Sequence, residues 1–309
     1  MGGFNYQNRR EFLKYFAGTT AVLAGLPALS KEALLSKDIS RLTILYTNDI
    51  HSRIEPFPSN DPKYANQGGF ARRAAVIDEF KLENDNVLLL DAGDIFQGTP
   101  YFNLYSGELE YKLMSLMKYD ATTIGNHDFD LGIDNITKQM PHANFAFINC
   151  NYDFSNTSLH DKIIPYKIFK KQGIKIGVLG YGVELEGLVD KKMYKDTVWQ
   201  NPIPIANATA KLLKMDLGCD YVIALSHLGF KDDKKVSDMS MAPQTENIDL
   251  IIGGHSHTFL EHPVKVKNRV GQEVHVTQVG WAGIWLGKLD VYFSYDKKKI
   301  THNANNKKI

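Results

Sequence analysis

The chain has 309 residues, of which 43% are hydrophobic, enough apolar mass for one large domain or two small ones. Lys and Arg total 36 against 35 Asp and Glu, a net charge of +1. No global charge therefore draws the chain to nucleic acid or to an anionic membrane.

Residues 1–30 read as an export segment rather than as fold. Asn8-Arg9-Arg10-Glu11-Phe12-Leu13-Lys14 carries paired arginines, residues 15–26 are mildly apolar, and Ala28-Leu29-Ser30 is a small-x-small cleavage pattern. That order is the pattern of a twin-arginine signal peptide, and it implies a periplasmic or extracellular destination. The apolar stretch is too short to span a bilayer permanently. No cysteine sits at the cleavage point to take a lipid.

Beyond residue 40 the pattern alternates between strand and helix. Strands are expected at 42–46, 87–90, 121–124, 145–148, 174–179, 221–225 and 250–252, and helices at 70–82, 108–117, 133–140 and 205–217. The continuous apolar run at 87–90 predicts a strand covered on both faces. Residues 274–279 and 286–293 alternate with period two and read as a late antiparallel pair. The pattern is α/β ending in β structure, without repeats or linkers, and gives one catalytic domain over 41–296. Lys297-Lys298-Lys299 and Lys307-Lys308 make 297–309 a polar basic tail. The loop at 56–67, rich in Pro, Asn and Asp, either shapes a pocket mouth or is plain surface. Cys150 and Cys219 stand beside apolar runs and are expected as buried free thiols, although an exported chain could pair them.

Metal-ligating residue types gather where strands end. Asp49 and His51 are two apart, so in extended backbone both side chains point one way, toward a metal or into a turn. Asp94 follows the buried run and Gly93; its two oxygens can bridge two metals, or it can cap the next helix. Asp91, at the strand end, reads as structural. Asn126 offers an amide oxygen. His127 would project over the metals without binding, with Asp130 fixing its tautomer. The other reading of this stretch is a polar turn opening a helix. His227, His255 and His257 also follow apolar runs, and glycines flank the last two. His142, His160, His262, His275 and His302 lack such company and read as structural. Two carboxylates, one amide and four imidazoles form an oxygen and nitrogen donor set for borderline divalent ions. Such a set suits a two-metal site for phosphate-ester hydrolysis.

Five segments, in order, carry a resemblance. They are Asp49-Ile50-His51, Gly93-Asp94 with Phe96-Gln97-Gly98-Thr99-Pro100, Gly125-Asn126-His127-Asp128-Phe129-Asp130, Ser226-His227 and Gly254-His255-Ser256-His257. Together they resemble the calcineurin-like metallophosphoesterases. Gly68-Gly69-Phe70-Ala71-Arg72 and the Phe96–Pro100 segment point to the bacterial 5'-nucleotidase branch, which includes UDP-sugar hydrolases. The resemblance covers roughly residues 41–295.

It implies a four-layer α/β/β/α sandwich of two mixed sheets flanked by helices. It assigns Asp49, His51, Asp94 and His257 to one divalent ion and Asp94, Asn126, His227 and His255 to the other. Some relatives carry Gln where His257 stands, which shifts the expected metals toward Zn, Mn or Fe rather than Mg. His127 and Asp130 match the family's catalytic pair, with Asn126 and His127 also meeting the substrate. The implied reaction is in-line attack of metal-bound hydroxide on the phosphomonoester of a nucleotide.

Full-length relatives add a C-terminal domain that grips the nucleoside, and this chain ends about where that domain would begin. A separately encoded substrate-binding domain is therefore an expected partner. Cyclic 2',3'-nucleotides and protein-bound thiosulfate are alternative substrates on the same scaffold. The thiosulfate-processing relatives depart from Gly-Asn-His, however, and the cyclic-nucleotide relatives tend to lack the carboxylate of Asp130. A non-catalytic binding subunit would show eroded ligand positions, and here all are filled. The export reading has its own test. Replacing Arg9 and Arg10 together by Lys should leave an uncleaved precursor in the cytoplasm, scored by fractionation and mass spectrometry. Normal periplasmic recovery of that variant would point to another route.

Overall fold

The computed structural model describes residues 39–309, without Tyr295 and the side chain of Ile300. The export segment at 1–30 lies outside the described residues. The strands in chain order are β1 (Ser40–Thr47), β2 (Val87–Asp91), β3 (Ala121–Thr122), β4 (Ala146–Phe147), β5 (Tyr152–Asp153), β6 (Tyr166–Lys171), β7 (Ile174–Gly182) and β8 (Val198–Trp199). They continue with β9 (Tyr221–His227), β10 (Leu250–Gly253), β11 (Val264–Lys267), β12 (Glu273–Thr277), β13 (Trp285–Phe293), β14 (Lys299–Ala304) and β15 (Lys307–Lys308). One mixed sheet runs β14-β13-β1-β2-β3-β4, with β15 also on β13, and a second runs β11-β12-β10-β9-β7-β6. In the second sheet the central strands are parallel and both edges antiparallel, while in the first β1 to β4 are parallel and only the β13–β14 side is antiparallel.

Period-two alternation divides each strand between two cores. Leu42, Ile44 and Tyr46 of β1 and Leu88 and Leu90 of β2 meet Ile176, Val178, Ile223, Leu225 and Ile252 of the second sheet in a central layer. Leu45 and Leu89 point the other way, into a core with helices α1 (Phe70–Glu83), α2 (Pro100–Tyr105), α3 (Glu108–Leu116) and α4 (Ile133–Gln139). Beyond α5 (Lys191–Tyr194), α6 (Pro202–Lys211) covers the outer face of the second sheet with Ala206 and Ala210, against Leu179, Val222 and Ile251. Three cores make four layers, the α/β/β/α sandwich expected. Phe70, Arg73, Ile77 and Phe80 fall on one face of α1, the spacing that makes that helix legible. α6 starts one turn earlier than expected because Pro202 occupies its first turn and the Asn201 side chain caps Ile203 N–H.

Two expectations fail. β12 and β13 do not pair with each other. β12 lies between β10 and β11, while β13 crosses to the first sheet and pairs with β1 over seven positions, Ser40↔Phe293 to Tyr46↔Gly287. Alternation identifies a strand but carries no information on its neighbour. Segment 297–309 is also not a solvated tail. β14 and β15 both pair with β13, and Ile309 exchanges backbone bonds with Ile284 and Gly68. The lysines that suggest a tail lie at a turn and on exposed edge positions, while His302 between them is drawn inward. The thiols are free as expected, Cys219 buried and Cys150 half-buried.

His302 Nε2 is hydrogen-bonded to the Tyr221 hydroxyl at 2.7 Å, and its ring sits 4.0 Å from that of the buried His275. Burial lowers both rings, His275 to about 4, and Lys299 lowers each further. Glu273, 3.2 Å from His275, opposes the shift only in part. Their folded pKa values lie below the unfolded value, so the unfolded chain holds more protons as pH falls from about 6.5 toward 4. Stability is therefore full above about pH 7 and lost through that window, by at most about 1.4 kcal/mol per pH unit for each ring. His302→Gln should flatten the fall of Tm between pH 7 and 4.5; an unchanged slope would remove this pair as an acid-sensitive latch.

Candidate metal centre

Each segment with ligand chemistry leaves the carboxyl end of a parallel strand. Asp49 and His51 follow β1, Asp94 follows β2, Asn126 and His127 follow β3, His227 ends β9, and His255 and His257 follow β10. The carboxyl edges of both sheets meet there, and all nine residues singled out by sequence come together.

They converge by a route the spacing does not indicate. Asp49 and His51 are not extended; both have φ of 49°. Asp94 (56°), His255 (72°) and His257 (52°) share the left-handed region, so five of the seven residues expected as metal ligands do. Such backbone costs roughly 1–3 kcal/mol per non-glycine residue and persists only where its surroundings enforce it. Here backbone bonds enforce it: Asp49, His51 and Ser52 donate to the carbonyls of Gly93, Asp94 and Ile95 at 2.9–3.0 Å. The buried Asp128 carboxylate completes the frame by accepting from the N–H groups of Asp94, Ile95, Phe96 and Gly125 at 2.8–3.1 Å. Burial and the neighbouring Asp94 carboxylate push Asp128 up to about 7, against the pull of those donors.

Close approach of the loops depends on glycine. A Cβ on Gly125 would lie 2.1 Å from Asp94 Oδ1 and 2.6 Å from its backbone nitrogen. One on Gly254 would stand 2.9 Å from the Ala92 carbonyl oxygen and from His227 Nδ1.

Two groups of donors result: Asp49, His51 and His257, and Asp94, His227 and His255, each with its ligand atoms within 4.8 Å of one another. His227 Nδ1–H donates to the Ala92 carbonyl at 2.7 Å. Its buried Nε2 lies 3.0 Å from Asp94 Oδ2 and has no other partner among the described residues. Burial alone would lower this ring, yet the Asp94 and Asp49 carboxylates raise it to about 10. A position that attracts positive charge so strongly suits a cation. His255 Nδ1 lies 2.7 Å from Asn126 Oδ1, and burial beside His227 lowers the ring to about 4. In the other group, His51 Nδ1–H donates to the Phe96 carbonyl at 3.2 Å, which turns its Nε2 toward His257 Nε2, 3.0 Å away. Two imidazole lone pairs facing each other near Asp49 Oδ1 (3.4 Å from His257 Nε2) fit a divalent ion. Asp94 belongs to one group and lies 3.9 Å from His51 Nε2 of the other.

His127 stands beside both groups. Its Nδ1 donates to Asp130 Oδ2 at 3.0 Å, and that bond raises its pKa above the ordinary histidine value against partial burial. Its own backbone N–H donates to Asp94 Oδ1 at 2.8 Å.

Sequence reasoning misses three groups here. Asp128 gives no signal beyond its place in the motif. The Asn48 side chain bonds Asp49 Oδ2 and the Gly280 carbonyl, both at 2.6 Å. Gln278 Nε2 donates to the Gly254 carbonyl at 2.5 Å, and its Oε1 accepts from Ser256 and Thr258. The loop at 56–67 is more than plain surface: Phe57 and Tyr64 pack edge-on against Trp281, which stacks on His257. Asp91 is structural as read, bonded to Thr47, Thr122 and the Gly93 N–H.

The calcineurin-like phosphoesterase model matches residues 42–259. The chain belongs to that family. Calcineurin-like phosphoesterases use a dinuclear metal centre, and two donor groups with Asp94 of one 3.9 Å from His51 of the other fit one. Snake venom 5'-nucleotidase of Crotalus adamanteus is 33% identical over 289 residues, 86% of this chain and 47% of the relative. Human 5'-nucleotidase is 30% identical over 285 residues, 85% and 48% of the two chains. The chain thus spans about half the length of these curated relatives. Among solved structures, a 5'-nucleotidase precursor from Thermus thermophilus superposes with a TM-score of 0.80 at 29% identity, over 87% of this chain and 55% of that one. A sulfate thiohydrolase superposes at 0.74 with 16% identity, a likeness of fold alone.

The close packing at Gly125 generates a test. Gly125→Ala should displace the Asp94 carboxylate and cost the protein both ions, as Asp94→Ala should directly. Elemental analysis giving two ions per chain in either variant would remove Asp94 from the shared position.

Proposed function

We propose that this chain is a metal-dependent phosphomonoesterase of the 5'-nucleotidase type, acting on nucleotides outside the cytoplasm. The observation that carries the reading is the position of Asp94, a buried carboxylate within 3.0 Å of His227 and 3.9 Å of His51, between two groups of nitrogen and oxygen donors. Asp49, His51, Asp94 and His257 would hold one divalent ion, and Asp94, Asn126, His227 and His255 the other. Four imidazoles in the set favour Zn, Mn or Fe over Mg. Such ions lower the pKa of water and offset charge on a phosphoryl group.

The remaining work falls to the chain's own residues. With Nδ1 held by Asp130, His127 presents Nε2 to the open side of the site. The Asp130 bond favours the protonated ring; in that form Nε2–H can bond a phosphoryl oxygen and then pass its proton to the leaving oxygen. Asp130 keeps the tautomer and stabilises the imidazolium. Asn126, adjacent to His127, brings its amide to the same oxygens.

Nucleotide as substrate is supported by 5'-nucleotidases being relatives at about 30% identity. Export is supported by residues 8–30, and no helix among the described residues is long and apolar enough to cross a membrane. In this reading a separate substrate-binding domain selects the nucleoside.

The test is hydrolysis of AMP and of an aryl phosphate by protein loaded with Zn²⁺ or Mn²⁺. His127→Ala should keep both ions and lower kcat by roughly 10²–10⁴. Metal loss in that variant would make His127 a ligand. Loaded wild-type protein inert toward both esters would end the phosphatase reading.

A further inference from the structure

The imidazoles facing the two donor groups are not held alike. A metal-facing imidazole needs an outer partner to fix its ring plane and tautomer. At His51 the partner is the Phe96 carbonyl, and at His227 it is the Ala92 carbonyl. His257 Nδ1 has no hydrogen-bond partner among the described residues, and 39% of the side chain is exposed. A ring so placed can rotate about Cβ–Cγ and carry Nε2 away from Asp49 and His51.

His51 meets the ring at its Nε2 edge, 3.0 Å away; across its face, one neighbour opposes that rotation. The Trp281 indole lies parallel to the His257 ring, 4° between planes and 5.5 Å between centroids, an offset stack. Phe57 and Tyr64 meet the indole edge-on at 5.7 and 6.1 Å and hold it from other sides. The Trp281 backbone is fixed to the opposite ligand loop: Asn48 Nδ2 donates to the Gly280 carbonyl at 2.6 Å, and Ala282 N–H to the Asp49 carbonyl at 2.7 Å. Trp281 therefore couples the His257 ring to the segment that carries Asp49.

We propose that Trp281 is the positioning residue of His257, and that its stacking sets the divalent-ion affinity of the Asp49, His51 and His257 group while leaving the other group unchanged. The inference rests on the two-ion reading above. The indole adds no charge and no ligand atom; it keeps the ring in the plane that points Nε2 toward His51 and Asp49.

The experiment titrates the metal-free full chain with Zn²⁺ and with Mn²⁺ against a competing chelator. It compares wild type, Trp281→Leu and Trp281→Phe, each also in a His257→Ala background. Wild type should take up two ions. Trp281→Leu should weaken, by about 10–100-fold, the same ion that His257→Ala weakens, and leave the other at wild-type affinity. Trp281→Phe, which keeps a flat ring, should recover most of the loss. With His257 already removed, Trp281→Leu should add nothing. Wild-type affinity for both ions in Trp281→Leu overturns the proposal. So does an equal loss with and without His257, which would mean that the indole acts through loop packing. If the leucine variant does not fold, Trp281→Met against Trp281→Phe reads the same contrast. Wild-type protein that binds fewer than two ions overturns the metal reading, and this proposal with it.

Discussion

Two carboxylates, Asp49 and Asp94, are buried almost completely at the edge where the sheets meet. Like charges so placed are unfavourable unless positive charge joins them. Burial would raise Asp94, but His227, His51 and His127 hold it well below the usual carboxylate range. The same demand raises His227 to about 10. The imidazoles, the left-handed turns and the close-packed glycines all follow from placing these two anions together and supplying cationic partners around them. Ion binding would then contribute to folding as well as chemistry, because a ligand that binds only the folded state stabilises it by mass action.

The sandwich makes such an edge possible. Parallel strands covered on both faces give a rigid frame, and their carboxyl ends release loops at fixed spacing. No loop supplies the whole site. β1, β2 and β3 of one sheet contribute Asp49, His51, Asp94 and Asn126, while β9 and β10 of the other contribute His227, His255 and His257. Packing of the central layer therefore fixes the distance between the two halves. A shift of one sheet against the other would open the contact between Asp94 and His227. Strain in the ligand turns is tolerated because strand ends anchor them and because Asp128 and the Gly93–Ile95 backbone satisfy their polar groups.

The legible part of the sequence is the part set by periodicity and residue chemistry. Apolar runs locate the central strands, and the donor residues after them locate the site. Partner choice is not legible, which is why β12 and β13 read as a pair when each lies in a different sheet. β14 is hidden by the lysines around it, since a strand of alternating Lys, Thr, His and Asn looks like a solvated segment until its neighbour is known. The convergence of Asp49 and His51 is expected for the wrong local reason. Their spacing suggests extended backbone, while the chain turns left-handed at each. Asp128 is invisible in its role because its partners are backbone N–H groups, which no sequence pattern displays.

The residues around the site differ in depth, and that difference has a chemical consequence. His227 is fully buried and Asp94 nearly so, whereas His257 and His127 have side chains 39% and 41% exposed. The buried rings of His227 and His51 are held by the main-chain carbonyls of Ala92 and Phe96. The exposed His257 ring is held by Trp281 of the turn before β13, which Phe57 and Tyr64 of the 56–67 loop back. Water and substrate must approach from the shallow side, where His127 stands with its ring exposed and its tautomer set by Asp130. The deep side serves as the fixed electrostatic reference and the shallow side as the surface that exchanges with solvent. A site built this way can vary the leaving group it accepts by changing the shallow wall, without disturbing the buried carboxylates on which the fold of the edge depends.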